Sequence, residues 1–408
     1  MNLWITLIIV VVTYTGIALG EFPTLRTTRT TITLLGVGAL LVTEQIQFKD
    51  IGQFLDLNTL ILLFGMMIIS ANLQLAGFFR LAGSAILRFT HTPRGLLALE
   101  IILAGFFSAL FLNDTICLML TPLILDVTLA ANRNPIPYLI ALATASNIGS
   151  AATLTGNPQN MIIGIASGIS YTHFALALAP IALLGLGSVW LVLVWFYPDE
   201  FRAGHFDLGE IESPRVYRPL LVKSMIVSGG LLIGFIVGVP IAEAALIAAC
   251  ALLLTRRVHP QKVMSRVDWD LLVFFSALFI VSGAMETSGI TRLFLSSLMN
   301  MLNGSSITLT AITVVLSNLV SNVPAVLLLK SAIPHLAHPQ AGWLTLAATS
   351  TLAGNLTLLG SVANLIVAES ASRRGVKLTF GEYTKAGFII TIISLALGAA
   401  WIQFFIWK

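Results

Sequence analysis

The chain has 408 residues, 57% of them hydrophobic and only 10% charged, where a soluble domain carries about 25% charged residues. That balance excludes a soluble enzyme and predicts a polytopic membrane protein with lipid as its surrounding partner. The net charge of +4 comes from Lys and Arg scattered among short connections, with no basic block of the kind a nucleic-acid partner would need.

Apolar runs of spanning length fall at 2–20, 31–47, 58–79, 173–197, 219–238, 240–256, 269–288 and 385–406. A spanning helix needs about 20 apolar residues, so these eight predict an all-α fold. The first run lacks a cationic start and a small-residue cleavage site, and reads as a transmembrane helix rather than a leader. Segments 136–169 and 341–369 would reach roughly 51 and 44 Å as unbroken helices, against a hydrocarbon core of about 30 Å. Each has Gly and polar residues near its middle, so both read as discontinuous helices, giving about 10 spanning elements in all. Stretches 95–131 and 305–334 each have two apolar arms meeting at a polar tip, Asn113-Asp114-Thr115 and Ser321-Asn322-Val323-Pro324. Both are expected to be re-entrant hairpins; two full helices each is the alternative.

Loop charge supports that layout. With 21–30, 80–95, 131–135, 198–223, 256–266 and 371–385 on the cytoplasmic side, those loops hold 18 of the 22 Lys and Arg. The bias appears only if each polar-tipped stretch returns to the side it entered from. It puts the chain in the cell's inner, cytoplasmic membrane, with both termini on the non-cytoplasmic side.

The two halves repeat. Asp56, Ser70, Gly77 and Arg80 match Asp268, Ser282, Gly289 and Arg292 at a constant offset of 212. Asn113 matches Asn322 at 209, and Thr153-Leu154-Thr155-Gly156 with Asn160 matches Thr357-Leu358-Leu359-Gly360 with Asn364 at 204. Helix 58–79 then runs inward and its mate 269–288 outward, so the repeats are inverted, an architecture common among secondary transporters. Residues 1–198 form the first repeat, 199–218 a cytoplasmic linker and 219–408 the second repeat.

A polar, helix-broken backbone is tolerated in a membrane only where it is buried in protein or lines a cavity. Segment 143–164 is such a stretch, broken at Gly156-Asn157-Pro158. Inverted repeats bring two broken helices and two hairpin tips together near the midplane. The expected substrate-binding residues are Asn113, Thr115, Thr153, Thr155, Gly156 and Asn157 from the first half. The second half supplies Ser321, Asn322, Thr357, Gly360, Ser361 and Asn364. Asn147 and Ser150 read equally well as packing residues. Asp114 is the carboxylate at a hairpin tip; an intramembrane Asp is costly to ionise unless paired or solvated, so it can exchange a proton or bind a cation. Its other reading is a cap on the second arm.

Glu44, Glu100, Glu243, Glu286 and Glu369 lie nearer segment ends and read as structural. The six His have no i, i+4 pair, and Cys117 and Cys250 sit in apolar runs, so no metal site and no cofactor are expected. No phosphate-binding Gly-rich loop with a Lys occurs, so transport is secondary or uses a partner ATPase.

At FLNDTICLMLTPLIL (111–125), ASNIGSAATLTGNPQNMIIG (145–164) and SNLVSNVPAVLLL (317–329), the chain resembles the ArsB/NhaD branch of the ion transporter superfamily. Within it the motifs are most similar to arsenite and antimonite efflux permeases and the related plant silicic-acid exporters. The resemblance implies export of a neutral metalloid hydroxide in exchange for protons by alternating access. It leaves open a homodimer. Hydroxyl, amide and backbone groups suit three-hydroxyl As(OH)3, and no Arg or Lys falls in the expected site. Family members that carry dicarboxylate, sulfate or phosphate with sodium or protons, and Na+/H+ antiporters, are the alternatives. Both tips depart from the Ser-Asn-Thr pattern of the sodium-coupled anion carriers.

Overall fold

The computed structural model describes residues 2–19, 27–89, 92–202, 204, 216–255, 258–302 and 305–407. Among them are eighteen helices of eight residues or more, nine from each half, and no strand. The first nine are α1 (Leu3–Leu19), α2 (Arg29–Val42), α3 (Leu57–Ala76), α4 (Phe78–Phe89), α5 (Pro93–Leu110), α6 (Asn113–Ala130), α7 (Pro135–Ser150), α8 (Pro158–Ser167) and α9 (Tyr171–Phe196). The second nine are α10 (Arg218–Val237), α11 (Ile241–Leu253), α12 (Trp269–Thr287), α13 (Ile290–Leu302), α14 (Ser306–Val320), α15 (Asn322–Leu329), α16 (Pro339–Ala353), α17 (Val362–Ser372) and α18 (Phe380–Trp401). The expected linker 199–218 lies mostly outside the described residues; its beginning continues a short helix, Pro198–Arg202.

Local chemistry repeats with the helices. Asp56 caps α3 by accepting from Thr59 N (3.1 Å), and Asp268 caps α12 by accepting from Leu271 N (3.0 Å). Each of these helices is followed by a glycine with left-handed backbone, Gly77 (φ 82°) and Gly289 (φ 83°), which turns the chain into the next helix. Those next helices, α4 and α13, were not anticipated. Phe78, Phe79, Leu81 and Ile86 alternate with Arg80, Ser84 and Arg88 along α4, so no apolar run reaches spanning length.

Packing follows the same rule of two. Helix α3 packs on α10 and α11, and α12 packs on α1 and α2. The second arm of each hairpin crosses to the other half: α6 lies on α17, and α15 on α8. Orientation is fixed by α3 and α12 themselves. Residues of the C-terminal half of α3 share a cavity with the start of α12, while Phe54, just ahead of α3, is pressed on Gly283 near the end of α12. The two mates run antiparallel, so the repeats are inverted.

Among the described residues, seven helices are long and apolar enough to cross a membrane, α5 and α6 among them. Spans α1, α2 and α11 are shorter than expected, at 17, 14 and 13 residues. Helix α11 starts at Ile241, just after the turn at Gly238 with φ 95°, and ends early at Leu253, and Glu44, with φ 54°, follows the early end of α2. The first hairpin's arms are therefore long, yet its tip does not reach a free surface. Helix α5 runs parallel to α7, with Tyr138 beside Pro93 and Ser108 bonded to Ser146, and the tip meets the break that follows α7. Helix α7 rises about 24 Å and α8 a further 15 Å or so beyond the break, so the tip lies at depth in the protein.

Candidate substrate site

Each broken helix is held open by a glycine and one asparagine. Asn157 caps α8 by accepting from Asn160 N at 2.9 Å, with Pro158 in the first turn where its missing N–H costs nothing. The Asn160 Nδ2 then donates to the carbonyls of Ser150 (3.1 Å) and Thr153 (2.9 Å). In the second half, Asn364 Nδ2 donates to Gly354 O (2.8 Å) and Thr357 O (3.1 Å), the same bonds 204 positions on. Gly156 passes so close to the Ser150 carbonyl that a β-carbon would collide with it, and Gly360 approaches the Gly354 carbonyl to within 2.7 Å of where a β-carbon would stand. These bonds satisfy backbone groups that a helix break strands in a membrane.

The first tip docks on the first break. Asn113 N donates to Gly156 O at 3.0 Å, Ser146 Oγ donates to Asn113 O at 3.1 Å, and Thr153 Oγ1 donates to Ala109 O. Asn147 joins the halves. Its Nδ2 donates to Asn355 Oδ1 (2.8 Å) and Asn364 Oδ1 (3.0 Å); its Oδ1 accepts from Asn113 Nδ2 (2.9 Å) and Ser361 Oγ (3.1 Å). An amide has two donors and two lone pairs, so Asn147 is fully used. The mate of its bond to Ser361 is Asn157 Nδ2 donating to Thr351 Oγ1 at 3.2 Å.

The expected residues thus divide into three groups. Asn113, Thr153, Thr155, Gly156, Asn157, Gly360, Ser361 and Asn364 are buried in one polar knot with Asn147 and Ser150, and Thr357 contributes its carbonyl at the edge. Ser321 and Asn322 form the second tip, beside Gly354. Across the knot and the second tip, Asn113 Oδ1, Thr155 Oγ1, Asn160 Oδ1 and Asn322 Oδ1 have no hydrogen-bond partner among the described residues, leaving three acceptors and one hydroxyl unpaired.

Asp114 and Thr115 instead face a cavity between α3, α6 and the start of α12. Its other polar walls are Ser70, Gln74, Arg266 and Asp268. The sequence reading did not assign these four, nor Asn355. Ser70 and Asp268 were visible as repeat positions, and Asn355 sits in the polar second break; Arg266 carried no signal. Its presence corrects the expectation that no cation stands near the site: the loop before α12 brings a guanidinium to the cavity that holds Asp114. No cluster of His, Cys, Asp and Glu able to hold a metal ion occurs among the described residues.

A family model described as a citrate transporter, CitMHS, matches residues 5–353. The silicon efflux transporter LSI3 of Oryza sativa subsp. japonica is 32% identical, over 92% of this chain and 92% of its own. A provisionally assigned transporter of Dictyostelium discoideum, arsB, is 26% identical over 90% of this chain and 85% of its own. The crystal structure of the YdaH transporter of Alcanivorax borkumensis superposes with a TM-score of 0.63 at 16% identity, over 98% of this chain and 97% of that one, a likeness of fold. Matched over most of its length, the chain belongs to the citrate transporter family of the ion transporter superfamily and is a multi-pass membrane transporter of small solutes, not an enzyme.

Proposed function

We propose that this transporter exports a small uncharged hydroxide, arsenite or antimonite, in exchange for protons, with Asp114 as the coupling carboxylate. One observation carries the reading: the buried groups without partners at the crossing of tips and breaks, Asn113 Oδ1, Thr155 Oγ1, Asn160 Oδ1 and Asn322 Oδ1, are amide oxygens and a hydroxyl, not charges. Such groups accept from and donate to As–OH without a desolvated counter-ion. The relatives named for silicon efflux and arsB support it, since silicic acid is also an uncharged polyhydroxide.

In this reading Asp114 takes a proton from outside as the hydroxide leaves and gives it up inside. The hairpins and broken helices move against a scaffold built on α3 and α12 and their partners. The protein sits in the cytoplasmic membrane with both termini on the far side, and the solute binds at the knot reached through the Asp114 cavity. Counterflow of labelled arsenite in proteoliposomes, competed by antimonite, silicate, sulfate and citrate, tests it. Competition by antimonite or silicate supports the reading, and competition by citrate or sulfate alone overturns it. That second outcome belongs to an anion carrier, which Arg266 in the cavity wall and the citrate description of the family favour.

A further inference from the structure

Helix α12 carries a cavity at each end. At its start, Asp268 and Leu271 belong to the Asp114 cavity; at its other end, Ser282 and Glu286 line a second, smaller cavity with Lys330 and Ser331. Leu271 and Ser282 are separated by about 17 Å of helical rise, and Asp268 and Glu286 by about 27 Å, close to the thickness of a bilayer core. The cavities therefore lie toward opposite ends of a helix long enough to cross a membrane.

They are also mates in the inverted repeat. Ser70 and Gln74 of the first correspond to Ser282 and Glu286 of the second, and Leu118 on the hairpin arm corresponds to Leu327. The difference lies at the tip. Where the first repeat has Asp114 and Thr115 facing the cavity, the second has Val323 and Pro324, both buried, so the second cavity stops short of its hairpin tip. Its carboxylate stands on the helix wall instead, where the first repeat has Gln74. Among the described residues no ion pair joins Glu286 to Lys330.

We propose that the second cavity is the far-side exit of the same route, and that Glu286 and Lys330 form a half-site there for an uncharged polyhydroxide. Glu286 accepts a hydrogen bond from a solute hydroxyl, and Lys330 donates to a solute oxygen. This half-site rests on the transport reading above; the sidedness of the cavity does not. The test uses Gln74→Cys and Ser282→Cys, each as the sole cysteine after Cys117 and Cys250 are replaced by alanine. A membrane-impermeant maleimide is applied to one face or the other of sealed vesicles. Labelling of the two positions from opposite faces is the expected result. Labelling of both from one face, or failure of Ser282→Cys to react from either, overturns the exit. Glu286→Gln with Lys330→Gln is expected to lower antimonite export severalfold while antimonite still protects Gln74→Cys from labelling; unchanged export overturns the half-site. Opposite labelling together with no hydroxide transport by the unaltered protein sinks the transport reading and the half-site, and leaves the two-faced access standing.

Discussion

Asn147 and Asn364, 217 positions apart, are joined by a hydrogen bond of 3.0 Å that couples the two broken helices. It is one of four bonds made by Asn147, three of them to the second half. Replacement by leucine keeps the bulk and strands four buried polar groups. Each stranded group costs about 1–3 kcal/mol, and because the four are neighbours their costs do not simply add. Asn147→Leu is expected to lose at least about 3 kcal/mol of stability by this mechanism. Thermal unfolding of the purified protein in detergent measures it, and a loss below about 1 kcal/mol would mean that the knot is not what holds the halves together.

Asp114 is expected to separate coupling from exchange. Asparagine keeps the size and shape of the side chain at the cavity wall, but with an amide NH2 in place of one carboxyl oxygen it cannot take up or release the proton. Asp114→Asn should abolish uphill export driven by a pH gradient while leaving counterflow of labelled solute measurable, since counterflow needs no net proton movement. Vesicles assayed both ways distinguish the two. Uphill export that survives the substitution would assign coupling to another group.

The eight apolar helices and the two breaks could be read from the sequence because each depends on composition within one segment: apolar runs for the helices, three of which are shorter than the runs implied, and Gly-Asn-Pro and Thr-Gly for the breaks. The repeat could be read because Asp56 and Asp268, or Asn160 and Asn364, do the same local job at fixed offsets. What escaped depends on contacts between segments. Helices α4 and α13 mix polar and apolar residues, so no apolar run marks them. Arg266 reaches the Asp114 cavity only because α12 starts beside the end of α3, a pairing that no periodicity encodes. Asn355 was missed because its mate in the first half is Ala151, so comparing the repeats drew no attention to it.

Gly156 and Gly360 offer an internal comparison. A β-carbon at Gly156 would overlap a backbone carbonyl outright, whereas at Gly360 it would stand 2.7 Å from one. Backbone cannot swing aside as a side chain can, so the first break must shift while the second needs a smaller adjustment. Gly156→Ala is expected to abolish transport and lower expression of folded protein, and Gly360→Ala to reduce transport less. Parallel uptake assays normalised to folded protein by size-exclusion chromatography check the order, and a reversed order would contradict the geometry.

Ser321 holds the second tip in a conformation that serine rarely adopts, with φ 79° and ψ 159°. That region is nearly exclusive to glycine, and an L-residue there costs about 1–3 kcal/mol. Its side chain makes no capping bond to α15, so hydrogen bonding at the helix start does not offset the strain. Ser321→Gly is therefore expected to stabilise the protein by about 1 kcal/mol or more, while Ser321→Ala, which keeps the β-carbon, should not. Thermal unfolding separates these two variants cleanly. If the hydroxyl serves the solute, both lose affinity for antimonite to a similar degree in competition counterflow, and only the glycine variant gains stability. Equal thermal shifts in the two would place the strain elsewhere than at this β-carbon.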